Sequence, residues 1–228
     1  MNLVQRVQDI LLKPKDTWPV IEQEATDTAA LYKNYLIILA AVPAVAAFIG
    51  LSLIGVGAFG VHVRVPFVPG LVNMVVSYAL SLVMVFVLAL VVDALAPTFG
   101  GSKSQISALK LVAYGSTAGF LGGIFSLLPS LSILGLLAAL YSIYLIYTGL
   151  PVLMKNPPEK SLAYTAVIIV CGIVAGVILG TVTALLTPGT SSMHLGSGMG
   201  SHEAVSIKTP GGEMTMDTAK ARRPTSAA

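Results

Sequence analysis

The sequence predicts an all-α membrane protein, with five transmembrane helices, a short amphipathic N-terminal helix ahead of them and a disordered C-terminal tail behind. Three observations carry this. Only 10% of the 228 residues are charged while 55% are hydrophobic, whereas a soluble domain has about 25% charged residues with which to cover a water-facing surface. The charges present leave long charge-free intervals between them, and ~20 consecutive apolar residues are the length of one helical crossing. The lysines and arginines of the connecting loops fall almost wholly on one side of the layout, the pattern that orients membrane proteins. The mean hydropathy of +0.86 agrees.

Residues 1–33 form the head. Leu3, Val7, Ile10 and Leu11 fall at i, i+4, i+7 and i+8, opposite Gln5, Arg6, Gln8 and Asp9, which is an amphipathic helix. Such a stripe lies on the membrane surface or covers the cytoplasmic ends of the spans. Pro14 is expected to end that helix. Asp16-Thr17-Trp18-Pro19 then offers a cap with proline near a first turn, ahead of Glu22 and Glu24, so a second short helix is expected. The first apolar run begins only after about thirty mixed-charge residues, too late and too polar a start for a signal peptide.

Residues 34–187 form the membrane domain. Its spans are expected at about 35–53, 71–92, 107–127, 131–154 and 163–186. From Leu111 to Met154 no residue is charged. That interval is too long for one crossing and breaks at Leu128-Pro129-Ser130, where proline ends a helix. Backbone groups in hydrocarbon must be satisfied within their own segment, so the spans are helices. Between the first two, Val61-His62-Val63-Arg64-Val65 alternates with period two and predicts a short strand or extended lid. The tail, 188–228, is rich in Gly, Ser, Thr and Met and is expected to be disordered.

With five spans, the head and the loops between spans two and three and between four and five share a side. That side carries Arg6, Lys13, Lys15, Lys33, Lys103, Lys110, Lys155 and Lys160, and the opposite loops carry only Arg64. The head is therefore expected in the cytoplasm and the tail outside, in a plasma or inner membrane. The basic residues are scattered singly, without the patch that nucleic acid requires. Cys171 is the only cysteine. It excludes an intrachain disulfide and reads as a small hydrophobe within an apolar run.

Glycines recur every four residues in two spans: Gly115, Gly119 and Gly123, then Gly172, Gly176 and Gly180. One helix face of small residues lets a partner backbone approach, so these glycines, with Gly135, Ala139 and Ser142 of span four, predict close packing of spans three, four and five or of a second copy. Tyr141, Tyr144 and Tyr147 sit in span four. Tyr147 fits the aromatic belt. Tyr141 lies about 9 Å deeper and needs a partner for its hydroxyl, with Tyr78, Ser81, Tyr114, Ser116 and Thr117 as candidates. Asp93 and Lys110 flank the loop between spans two and three and are expected as an interfacial ion pair or as solvated charges.

Signatures of catalysis are lacking. The histidines, His62, His194 and His202, have no nucleophile context. Gly100-Gly101 and Gly122-Gly123 are not followed by the Gly-Lys-Ser/Thr of a phosphate loop. Met193, His194, Met199, His202, Met214 and Met216 carry ligand types suited to copper(I), but their spacing is loose. No metal, no cofactor and no enzymatic activity are expected.

A family resemblance joins these readings. Pro14-Lys15-Asp16-Thr17-Trp18 with Ile21 and Glu24, Tyr35, Phe99-Gly100-Gly101-Ser102-Lys103, Tyr114, Leu128-Pro129, the three tyrosines of span four, Gly149-Leu150-Pro151, Lys155, Lys160 and Tyr164 occur in this order. Together, over residues 1–187, they resemble the Yip family, membrane proteins named for Ypt/Rab interaction, in its bacterial inner-membrane branch. Many relatives carry a proline shortly after the tyrosine matching Tyr114. Here Ser116, Thr117, Ala118 and Gly119 stand instead, so the expected kink is absent or produced by glycine. The resemblance implies five helices, a cytoplasmic head and no catalysis. Eukaryotic members act in membrane traffic and contact small GTPases, a partner that does not carry over to bacteria. The expected function is therefore a non-enzymatic protein that organises membrane or binds lipid or protein partners at its cytoplasmic face, with Trp18, Lys103, Tyr147, Lys155 and Lys160 as an interaction ring. The rival is a small permease whose polar path uses Asp93, Lys110, Tyr114, Tyr141 and Tyr144.

Overall fold

The structure, a computed structural model, describes residues 2–58, 61–63, 65–127, 131–186, 205–209 and 212–216. The chain divides into two compact units, Met1–Ser192 and Met193–Ala228. In the second, Val205–Thr209 and Gly212–Met216 pair as antiparallel strands. The remaining tail residues, where disorder was expected, lie outside the described residues, as do His194 and His202.

In the first unit five helical stretches among the described residues are long and apolar enough to cross a membrane: Thr28–Ile54, Phe67–Phe99, Gln105–Leu127, Ile133–Leu153 and Pro158–Leu186. The count and order are those read from the charge-free intervals. The ends run longer, because a helix does not stop where its apolar core stops. Span two, at 33 residues, is about 50 Å long, well beyond a hydrocarbon core of ~30 Å, and so carries Asp93 out of it. Between spans one and two, Val56–Ala58 (β1) pairs with Val61–Val63 (β2), Gly57 opposite His62, where the alternation predicts extended chain.

Span one contains two widened turns with i→i+5 hydrogen bonds, marked by Ile37 N–H on Tyr32 O and Gly55 N–H on Gly50 O. Span three is interrupted at Ser116 and resumes at Thr117. The helix is therefore interrupted here without a proline. The Thr117 hydroxyl donates to Tyr114 O at 2.6 Å, the side-chain competition for a helix carbonyl that bends helices.

Span three is central. Its most apolar window is 61% buried, against 17–33% for the other four. Span two packs against one, three and five, and span four against three and five. Burial is uneven along the bundle. Leu36, Leu109, Leu111, Leu145, Leu150 and Met154, all near the head end, are fully enclosed, while Leu136, Leu137, Val170, Ile173 and Val177 are more than half exposed. An apolar surface of that kind belongs in lipid.

Glycines of span three approach neighbouring helices closely, those of span five do not. A Cβ on Gly122 would lie 2.3 Å from Ala138 Cβ of span four, and one on Gly123 2.4 Å from Pro43 Cβ of span one. Around Gly172, Gly176 and Gly180 nothing lies within 4 Å of such a Cβ. Span five packs chiefly on span two, and its Gly172 and Gly176 border an open groove shared with Val85, Gly119 and Ser142, so no helix closes on them where close packing of spans three to five was expected. The two sets therefore respond oppositely to alanine. Gly122→Ala overpacks and is expected to destabilise the detergent-solubilised protein by about 2 kcal/mol. Gly176→Ala gains helix propensity and is neutral or stabilising by up to about 1 kcal/mol. Thermal unfolding of both variants beside the parent checks the signs.

Candidate functional site

The head is two helices, Leu3–Leu12 (α1) and Pro14–Gln23 (α2). Pro14 does not merely end α1. It occupies the first position of α2, where its fixed φ suits a helix start and its missing N–H is not needed. Pro19, expected near a first turn, is inside α2. Neither helix floats on the surface. Ile10, Trp18 and Ile21 are fully enclosed, and Leu3, Val7 and Leu11 pack against the same core.

Trp18 anchors α2 on span four. Its indole Nε1 donates to Thr148 Oγ1 at 3.2 Å. Its ring lies where Gly149 has no side chain: a Cβ there would be 2.7 Å from the indole Cε2. Full burial of an aromatic of this size stabilises by about 2–3 kcal/mol. Trp18 is thus part of the core, not of a surface ring.

Lys110 is the second anchor and corrects a second expectation. It is neither solvated nor paired with Asp93. Only 6% exposed, its Nζ donates to Ile21 O at 2.8 Å and Glu24 O at 2.6 Å, with Glu22 O at 3.5 Å. These carbonyls belong to the C-terminal end of α2, where a helix leaves its acceptors unmatched and its dipole favours a cation. An ammonium has three protons and no acceptor, so it suits that end. Asp93 instead accepts Ser104 N–H at 2.8 Å and ties the start of span three to the end of span two. Lys155 meets Glu22 at 3.3 Å, but its side chain is 65% exposed and such a pair contributes only about 0–1 kcal/mol.

Arg6 was expected on the polar side of α1. It is 4% exposed, pairs with Glu24 through Nη2 and stands over the Tyr114 ring, 5.8 Å from its centre. Its signal was present in the sequence: Leu3, Arg6 and Ile10 follow at steps of three and four.

The two loops on the head side are joined. Ser102 N–H donates to Met154 O at 2.8 Å. Gly101 is where a Cβ would come 2.8 Å from that oxygen, and Gly100 has φ +74°. Asn156 Nδ2 donates to Ser161 Oγ at 2.8 Å. Lys103, Tyr147, Lys155 and Lys160 remain exposed around these loops.

The tyrosines join elements. Tyr32 donates to Leu82 O and Tyr78 to Ile37 O, both at 2.9 Å, locking spans one and two. Tyr35 and Thr117 share a hydrogen bond of 2.6 Å between spans one and three, and Tyr35 packs on Tyr114 with ring centres 4.6 Å apart. Tyr164 donates to Val92 O and stacks on Phe99. Tyr141 donates to Leu11 O of the head at 2.6 Å, not to any of the expected span residues, and Tyr144 lies against Tyr141. Among the described residues no group of three His, Cys, Asp or Glu side chains could hold a metal ion.

Removing the ammonium leaves buried carbonyls unmatched. Lys110→Met is expected to destabilise the docked head by about 3 kcal/mol, given about 1–3 kcal/mol for each orphaned buried acceptor. The measurement is limited trypsin cleavage after Lys15, which becomes at least tenfold faster if the head is released. An unchanged rate removes Lys110 from this role.

The model of the Yip1 domain family matches residues 9–180. The chain is similar to the inner membrane protein YohC of Escherichia coli strain K12, 25% identical over 187 residues that cover 80% of this chain and 96% of that protein. The protein of that name in E. coli O6:H1 strain CFT073 matches with the same figures. No solved structure matches at a significant level. The family match runs from the docked head through all five candidate spans, and the chain belongs to the Yip1 domain family of multi-pass membrane proteins.

Proposed function

We propose that this protein is a non-enzymatic inner membrane protein whose cytoplasmic face, formed by the docked head and the two loops beside it, binds a protein or lipid partner or organises the membrane. One observation carries the reading. The ionisable side chains Asp93 and Lys110 and the Tyr141 hydroxyl are spent on internal donors or acceptors, while Lys103, Tyr147, Lys155 and Lys160 face outward. Lys110, Asp93, Tyr35, Tyr141 and Tyr164 all hold partners within the chain, which weighs against a permeation path through them. The relatives are named only as inner membrane proteins, and that location suits the lysine-rich head side. Span five, with Gly172, Gly176 and Gly180 uncovered, is the surface best suited to a helix of a second copy.

Three experiments test this. Photo-crosslinkers at Lys103 and Lys160 in native membranes are expected to capture a discrete protein adduct, and capture of lipid alone would remove the protein-partner version. Lys103→Cys is expected to react with a membrane-impermeant maleimide in inverted vesicles but not in intact spheroplasts. The reverse pattern overturns the orientation. A proteoliposome flux abolished by Lys110→Met or Tyr141→Phe would favour the permease instead.

A further inference from the structure

Arg6 is the one guanidinium placed in the protein interior among the described residues, and only half of it is accounted for. Nη2 is taken by Glu24, whereas Nη1 is enclosed and has no hydrogen-bond partner. A buried charged donor without an acceptor is costly, by more than a neutral one. Arg6 lines a cavity of about 270 Å³ with Leu3, Glu24, Asn34, Tyr35 and Tyr114. The charged residues that line it are Arg6 and Glu24, and the Glu24 carbonyl already accepts from the Lys110 ammonium at 2.6 Å.

The cavity lies where α1 and the α2–span one connection cover the head end of the seam between spans one and three. Farther along that seam is an apolar crevice of about 390 Å³, lined by Ile38, Val42, Val45 and Ile49 of span one and by Ile124 and Leu127 of span three. On span one, Asn34 of the polar cavity and Ile38, Val42, Val45 and Ile49 of the crevice succeed one another at steps of three and four, which is one helix face. The sequence of environments is thus a cation site at the head end, then an apolar channel directed into the bilayer. Half of a ~30 Å hydrocarbon core corresponds to about ten residues of helix, from Asn34 to the neighbourhood of Val45.

We propose that this seam seats a phospholipid of the leaflet on the head side, with its phosphate against the Arg6 guanidinium and an acyl chain along Ile38, Val42 and Val45. Phosphate is an acceptor that guanidinium geometry matches. A free phosphate ion would use the polar cavity alone and leave the apolar face of span one unexplained. The site stands apart from the exposed lysines of the loops, none of which lines it, so it does not depend on their role.

The test uses the full-length chain, extracted in mild detergent and followed by native mass spectrometry. The parent is expected to retain a phospholipid, and after delipidation to rebind phosphatidylglycerol or phosphatidylethanolamine from mixed micelles. Arg6→Gln is expected to weaken rebinding about tenfold, the loss of a charged hydrogen bond. Val45→Trp, which fills the crevice and leaves the charges untouched, is expected to weaken it as well. Lys15→Gln, an exposed head lysine, is expected to leave it unchanged. Rebinding that neither Arg6→Gln nor Val45→Trp reduces overturns the proposal. So does competition by inorganic phosphate together with an unaffected Val45→Trp, which identifies a free-anion site. If Arg6→Gln does not fold, Val45→Trp decides alone, and undiminished rebinding in that variant overturns the proposal.

Discussion

The Lys110 ammonium, buried in the second turn of span three, is the contact on which the head end of this protein depends. A cation placed there loses its water, at a penalty of several kcal/mol, and recovers it only if its three protons find acceptors. The end of α2 provides them: Ile21 and Glu24 carbonyls at 2.8 and 2.6 Å, with that of Glu22 farther off. The dependence is mutual. The bond to the Ile21 carbonyl is buried, so Lys110 supplies a donor there that the end of α2 would otherwise lack. The visible surface pair, Lys155 with Glu22, is minor beside this, since solvent screens it.

The other head contacts rest on that placement. With its C-terminal end fixed, α2 lays Trp18 over Gly149. Glu24, just beyond α2, stands beside Arg6, and the end of α1 comes to where Leu11 O meets the Tyr141 hydroxyl. Each partner is buried or half-buried, so each would be left unmatched if the head moved by even one turn. That is why the buried core gathers at the head end, while the far halves of spans two, four and five present leucine, isoleucine and valine outward.

How much of this was legible follows from the kind of signal each feature leaves. Spans are written in composition over twenty residues, a long-range average that survives any detail of packing, and all five were readable. The close approach of Gly115 to Ile146 of span four has a signal in the sequence, because small residues at steps of four advertise a face. The same pattern in span five misled, because a glycine face says that a neighbour could come near and not that one does. The tyrosines were rightly read as interhelical glue, but Tyr141 finds a backbone carbonyl 130 residues away, and every residue type has a carbonyl. Lys110 is illegible for the same reason: its acceptors are main-chain oxygens 86–89 residues distant, which no side-chain motif marks. Trp18 beside Lys15 and Asp16 reads as a surface residue until Gly149 is seen to leave it room.

Arg6 shows what such a docked head makes possible. An arginine on the apolar face of a free amphipathic helix is a defect in that helix. Held against the bundle, the same arginine becomes a cation at a chosen depth, between the Tyr114 ring on one side and the Glu24 carboxylate on the other. Neither contact consumes the whole guanidinium. The head therefore does two things with one set of contacts: it closes the polar ends of the spans, and it carries a charge to the seam between spans one and three. A head that were only a lid would be more stable with a leucine at that position, since a buried ion pair rarely outperforms well-packed apolar groups. A guanidinium at that position is what the proposed phospholipid seat uses and what a lid alone does not need.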